Sequence, residues 1–180
     1  MGRVFYIAEC KRRLAAKKGF APWWRRFGIL FDENTTVRSL DTPVLRCLAR
    51  GNEESSAAFY ELIMGVKGLG NGARFDFLEP RFKMCVTDIT IFLLDLVRFE
   101  VMFRLDWLED YRFLNIALLD LVEDFHDKFV ASRHSSPVLS SRHPRYREYA
   151  AQFEFDRQSF IRRLIPEAVK LFCDPEDDIG

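Results

Sequence analysis

The chain has 180 residues, of which 48% are apolar and 30% charged, and its 27 basic residues balance 27 acidic ones. Such values describe a globular chain long enough for one hydrophobic core, exclude a disordered or low-complexity protein, and give the molecule as a whole no bias toward polyanions or polycations. Four cysteines, at 10, 47, 85 and 173, form no Cys-x-x-Cys pair, which excludes a zinc knuckle and a disulfide framework and implies free thiols in a reducing compartment.

The first residues lack a charged region leading into an apolar run with a small-residue cleavage site, so a cytoplasmic location is expected. Residues 3 to 18 carry Val4, Ile7, Ala8, Leu14 and Ala15 at helical spacing, with Gly19 placed where a C-terminal cap belongs. Residues 1 to 26 form a basic arm, with eight cations against Glu9 alone. Arg12, Arg13, Lys17, Lys18, Arg25 and Arg26, interleaved with Trp23 and Trp24, are the candidate binding residues. Cations beside exposed aromatics suit phosphate neutralisation and base stacking, or an anionic lipid surface. Residues 88 to 127 hold ten acids against three arginines, so docking of the arm on its own chain or on a partner chain is the favoured reading.

FGILFDENTTVRSL follows as an irregular connector with turn formers at Asp32, Glu33 and Asn34, long enough to hold one short hairpin. Asp41 or Thr42, Pro43 and Gly51 then bracket a helix. Asn52 caps another, from Glu53 to about Lys67, with Phe59, Tyr60, Ile63 and Val66 inward. Gly65, Gly68, Gly70 and Gly72 come after a helix rather than after a strand, so they suit a helix stop and loop better than a phosphate cradle.

Glu79 and Pro80 open the segment around which the fold is expected to form, a helix from Pro80 to Asp110. Its apolar residues cover most of its circumference, so neighbours are expected on more than one side. Six charges between Asp88 and Asp106 argue against a membrane span. Glu100 projects from the apolar face, and a buried carboxylate needs a partner or a proton. Arg104, one turn on, is the expected mate and Arg157 a second candidate; the alternative is a metal or substrate ligand in an internal pocket.

Tyr111 to Arg133 reads as a second long helix, antiparallel to the first, with an acidic stripe at Asp120, Glu123, Asp124 and Asp127. Glu123-x-x-His126 has the spacing by which bundles present two metal ligands from one turn. There is one such pair, and it lies off the apolar face, so a solvated Glu–His pair is the better reading and no metal or other cofactor is expected. Residues 132 to 144 form a polar loop in which Ser-Arg-His occurs twice; no orienting acid can be assigned to either serine, so catalytic chemistry is not supported there. A last helix is expected from Pro144, with Arg157 among its inward residues, ending or kinking at Pro166 before a loose acidic tail at 174–180.

The expected fold is therefore all-α: a single domain over residues 1–180, with about five to seven helices around a central helix at 80–110. The expected function is a non-enzymatic binding or adaptor module that engages a protein partner, or a second copy of itself, through aromatic and charge-segregated surfaces. The alternatives are a metal- or small-ligand-binding bundle built on Glu100, and nucleic-acid binding through the basic arm.

Overall fold

The computed structural model describes residues 2–174, with side chains described from residue 6 onward. The protein is an all-α bundle. The helices are α1 (Gly2–Phe27), α2 (Thr42–Ala49), α3 (Glu53–Lys67), α4 (Pro80–Arg104), α5 (Leu118–Glu123), α6 (Phe125–Arg133), α7 (Tyr146–Ala150) and α8 (Glu154–Cys173). Two 3-10 segments, Gly72–Phe77 and Arg112–Asn115, flank α4 in sequence. Backbone pairing between strands is confined, among the described residues, to isolated bridges at Thr36–Ala117 and Leu108–Leu139. The connector after α1 holds no hairpin.

α4 is the central helix, because its apolar positions run nearly all round it and must be covered on several sides. Val86, Ile89, Leu93, Leu96, Val97, Val101 and Met102 are buried, and α2, α3 and α8 pack most closely on it. α4 ends at Arg104, not at Asp110. Its close is a hydrogen-bonded left-handed turn: Asp106 has φ 62°, its N–H donates to the Phe103 carbonyl at 2.9 Å, and the Trp107 N–H donates to Met102 at 2.9 Å. That pattern usually takes glycine, and Asp is among the few residues that adopt it without one.

Tyr111 to Arg133 is not one helix, and it is not the principal neighbour of α4. Ile116 and Ala117 are extended because the connector takes over their backbone bonding. Leu118 N–H donates to the Thr35 carbonyl at 2.8 Å and Arg38 N–H to Leu114 at 3.0 Å. A second break at Asp124 (φ −104°, ψ 32°) separates α5 from α6. The last helix also divides, at residues 151–153. α8 then runs through Pro166, although a proline inside a helix costs about 3 kcal/mol. Burial of Leu164, Ile165 and Ala168 offsets that cost. Arg46 of α2 and Arg50, the residue that follows this helix, also bind the far end of α8: Arg46 Nε donates to the Phe172 carbonyl at 2.9 Å and Arg50 to that of Cys173 at 3.1 Å. Cationic donors at the last carbonyls of a helix satisfy groups that have no partner within it.

α1 continues through Gly19 and Pro22 to Phe27. Gly19 is not a cap; it is where α1 crosses α3. A Cβ at Gly19 would lie 2.6 Å from Val66 Cγ2, and one at Gly65 would lie 2.7 Å from the Lys18 carbonyl oxygen and 2.8 Å from Gly19 Cα. Pro22 has no N–H to give to the carbonyl four residues earlier, which is that of Lys18. The two helices thus meet backbone to backbone where α1 has a free carbonyl.

An unobstructed Gly→Ala change inside a helix stabilises by about 0.5–1 kcal/mol, but Gly65→Ala must force backbone apart. The expected result is a loss of about 2 kcal/mol for Gly65→Ala. Gly19→Ala should lose less, because it meets a movable side chain first. Urea unfolding of the two variants measures both; a stabilised Gly65→Ala protein would contradict the crossing.

Candidate functional site

The most constrained polar group is Glu100, which is 0% exposed. Arg104, one turn further along α4, donates from Nε to Oε1 at 2.9 Å, and Arg38 of the connector donates from Nε to Oε2 at 2.7 Å. Arg38 also reaches Asp110 at 3.0 Å and lies over the Phe103 ring at 3.7 Å. Arg104 in turn holds the carbonyls of Arg38, at 3.1 Å, and Leu40. Burial opposes the Arg38 charge, but the hydrogen bonds to Glu100 and Asp110 outweigh it and hold the guanidinium above its ordinary pKa. Both Glu100 oxygens are therefore engaged by guanidinium groups, and Glu100 is not among the residues lining the groove described below.

Arg157 is not a mate of Glu100. It lies over the Tyr149 ring at 5.4 Å and donates to the Ala150 carbonyl at 3.1 Å, while its buried Nε has no partner. Arg38 takes the place proposed for it. No spacing along the chain links Arg38 to Glu100, because the connector reaches α4 only through tertiary structure.

The basic residues of α1 separate into two sets. Arg12 pairs with Asp120 and donates to the Glu33 carbonyl at 3.0 Å. Arg13 pairs with Glu9 at 2.6 Å and Glu33 at 3.3 Å, and Arg26 with Glu61 at 2.7 Å. The hydrogen bonds to Asp120 and Glu61 raise Arg12 and Arg26 above their ordinary pKa. Trp23 is fully buried, donates from Nε1 to the Ala58 carbonyl at 2.7 Å, and packs edge-on against Phe20, Phe27 and Phe31. It offers no stacking face to a ligand. Lys17, Lys18, Trp24 and Arg25 instead face solvent, and none of the three cations has an ion-pair partner among the described residues. α1 is a packed helix of the domain rather than an appended arm.

Glu123 ends α5 and His126 belongs to α6, so they do not share one helical turn. Among the described residues, no group of three or more His, Cys, Asp or Glu side chains is placed to hold a metal ion. The four cysteines are free, and burial pushes the Cys47 thiol up to about 11 and raises Cys173. In the polar loop, Ser140 and His143 are buried. The His143 ring meets that of Trp107 edge-on at 4.8 Å, and its Nδ1 accepts from the Arg145 backbone N–H at 3.1 Å. Of the second Ser-Arg-His, only His143 is packed into the structure; Ser141 and Arg142 are exposed.

A groove of about 710 Å³ lies between α4, α6 and α8. Phe92, Leu96, Phe99, Tyr111, Phe125 and Phe129 form its apolar lining, with Phe92 edge-on to Phe125 at 5.6 Å and to Phe129 at 5.9 Å. Burial pushes the Tyr111 hydroxyl up to about 12, and that hydroxyl donates to the Ser135 carbonyl at 2.7 Å. Asp95 is neutralised by Arg162 at 2.9 Å. Asp88 and Arg133 also line the groove, and neither has an ion-pair partner among the described residues. Ile91 and Val130 stand on its rim, 57% and 42% exposed. No local spacing in the sequence marks this groove, which tertiary packing assembles from α4, α6 and α8; the surplus of phenylalanine is its one compositional sign. Comparison of the chain with protein-family models, curated proteins and solved structures gives no match.

Removing Glu100 leaves two guanidinium groups facing each other at a buried position. Loss of one partner of a buried pair costs about 3–5 kcal/mol; because Arg38 and Arg104 are each about a quarter exposed, Glu100→Ala is expected near the lower end. Arg157→Met should change stability by less than about 1 kcal/mol. Chemical denaturation of both variants is the check, and equal losses would contradict the assignment of partners.

His143 gives a pH dependence. Burial holds its imidazole below the ordinary value, so the unfolded chain takes up a proton at higher pH than the folded one. Its contribution to stability is present above about pH 6.5 and is lost as pH falls toward the folded value. Denaturation midpoints are expected to drop between about pH 7 and 5.5, and to drop less in His143→Gln.

Proposed function

We propose that this protein is a non-enzymatic binding module whose groove between α4, α6 and α8 receives an apolar segment of a protein partner. The observation that carries this reading is an aromatic-floored groove whose rim holds exposed aliphatic side chains. Contiguous exposed apolar surface edged by polar groups is characteristic of association sites. Phe155 shares a face of α8 with the groove-lining Gln158 and Arg162, at i, i+3 and i+7. It is 79% exposed and stacks on Phe153 with ring centroids 5.9 Å apart.

Charge defines the partner further. Asp88 and Arg133 offer one acid and one base to an incoming segment, so a helix with an apolar stripe, one cation and one anion fits better than an all-apolar chain. Eleven residues separate Asp88 from Phe99 on α4, a rise of about 16 Å, or three turns of a partner helix. Such a segment could come from another protein or from a second copy of this one. Nothing in the groove favours a polyanion.

Ile91→Glu and Val130→Glu alter exposed side chains, so each should change folding stability by less than about 0.5 kcal/mol. Affinity capture from cell extract with wild type and the double variant tests the reading. A protein recovered in stoichiometric amount by wild type and lost by the double variant is the expected outcome, with light scattering reporting self-association. Equal recovery by both would refute the groove as the docking site.

A further inference from the structure

The face of α1 turned away from α3 differs from every other helix surface here, and the groove does not use it. Tyr6, Ile7, Leu14 and Trp24 are exposed on it by 70%, 54%, 52% and 55%. At about 100° per residue, Tyr6 and Trp24 occupy the same angular position five turns apart, Ile7 lies about 100° round, and Leu14 falls between them. Lys11, Lys18 and Arg25 follow the Ile7 edge of this strip, at about 100–140°, and Lys17 falls just inside the Tyr6–Trp24 edge, at about 20°. All four are exposed, and none has an ion-pair partner among the described residues. The one acid on the described part of α1, Glu9, is paired to Arg13 at 2.6 Å. From Tyr6 to Trp24 the strip is about 27 Å long.

We propose that α1 lies flat on the surface of an anionic lipid bilayer, with Ile7 and Leu14 entering the acyl boundary, Tyr6 and Trp24 at headgroup level, and Lys11, Lys17, Lys18 and Arg25 on the lipid phosphates and carboxylates. Charge complementarity and side-chain chemistry together select this occupant. Four cations without acids of their own call for a negative surface, and aliphatic side chains among them call for hydrocarbon. A single-stranded nucleic acid would use the cations but not Ile7 or Leu14, and its bases would find only two aromatic rings, about 27 Å apart. Interfacial helices have this distribution of apolar centre, basic flanks and terminal aromatics. Here the remaining face of the helix is buried against α3, so the helix arrives folded and pays no ordering entropy at the membrane. This binding is peripheral: among the described residues no helix is long and apolar enough to cross a bilayer.

The test is sedimentation of the full-length protein with vesicles of phosphatidylcholine alone and with about one-third phosphatidylserine, at low and high salt. The expected result is binding to the anionic vesicles at least about tenfold above the neutral ones, weakened by salt. Two variants divide the contributions: Ile7→Glu with Leu14→Glu, and Lys11→Gln with Lys17→Gln, Lys18→Gln and Arg25→Gln. Both should lose vesicle binding while circular dichroism stays that of the wild type. Quenching of tryptophan emission by brominated acyl chains should disappear in Trp24→Phe, since Trp23 is buried and Trp107, in the loop after α4, packs on His143 rather than on the α1 face. The proposal is overturned if wild type ignores anionic vesicles, if it binds neutral vesicles equally, or if the Ile7→Glu/Leu14→Glu protein binds as wild type does. The last result, joined to retention on a single-stranded polynucleotide, would assign the cations to nucleic acid instead.

Discussion

A fully buried carboxylate in the middle of a helix must be matched by positive charge, and the way Glu100 is matched governs how the rest of the chain is arranged. Two arginines meet it, one from its own helix and one from the connector between α1 and α2. Because Arg104 also binds two connector carbonyls, the connector is fastened across the C-terminal end of α4. The connector in turn supplies backbone bonds at Thr35 and Arg38 that hold the start of α5 and the 3-10 segment before it. Arg12 of α1 reaches both Asp120 of α5 and the connector carbonyl at Glu33. One buried charge therefore fastens the connector to α4, and the connector in turn bonds to α1 and to the start of α5. Apolar packing supplies most of the stability of such a bundle. A buried ion pair adds little net energy when matched and costs much when broken, so its contribution is to select one arrangement of the chain.

Features that depend on neighbours in sequence could be read from the chain alone. The caps of α2 and α3, the Pro80 start of α4, the burial of Glu100 and its pairing with Arg104 all follow from spacings of a few residues. Features that depend on tertiary contact could not. The end of α4 at Asp106 carries no glycine. The break at Ile116 arises because the connector claims backbone groups that an isolated helix would have kept for itself, and the break at Asp124 carries no glycine or proline to announce it. Gly19 resembles a helix stop until α3 is seen to bring Gly65 against it. Arg38, 62 residues from Glu100, gives no local sign of its role. The basic arm was half legible: its charge is real, yet Arg12, Arg13 and Arg26 serve internal pairs, and Trp23 belongs to the core.

That division has a functional meaning. Cations that meet acids of the same chain hold α1 in place, and those that remain, with the aliphatic and aromatic side chains between them, define one outward face. The groove between α4, α6 and α8 is a second, independent surface, floored by phenylalanines whose number is the most unusual trait of the composition. Taken together, the two proposed faces describe an adaptor, with one face for an anionic bilayer and another for an apolar helix. The rigidity that would hold the two faces in a fixed relation comes from α3 and α4, which lie between α1 and α8 in the packing order.

The account stands most directly on the coupling between Arg38 and Glu100. A double-mutant cycle of Arg38→Met, Glu100→Gln and the combined variant, read by urea denaturation, isolates that coupling from the separate effects of each change. The expected interaction energy is about 1–3 kcal/mol, as for residues that share one buried network. Strictly additive losses would mean that the connector is not held by Glu100, and that the arrangement of α1, α4 and α5 has another origin.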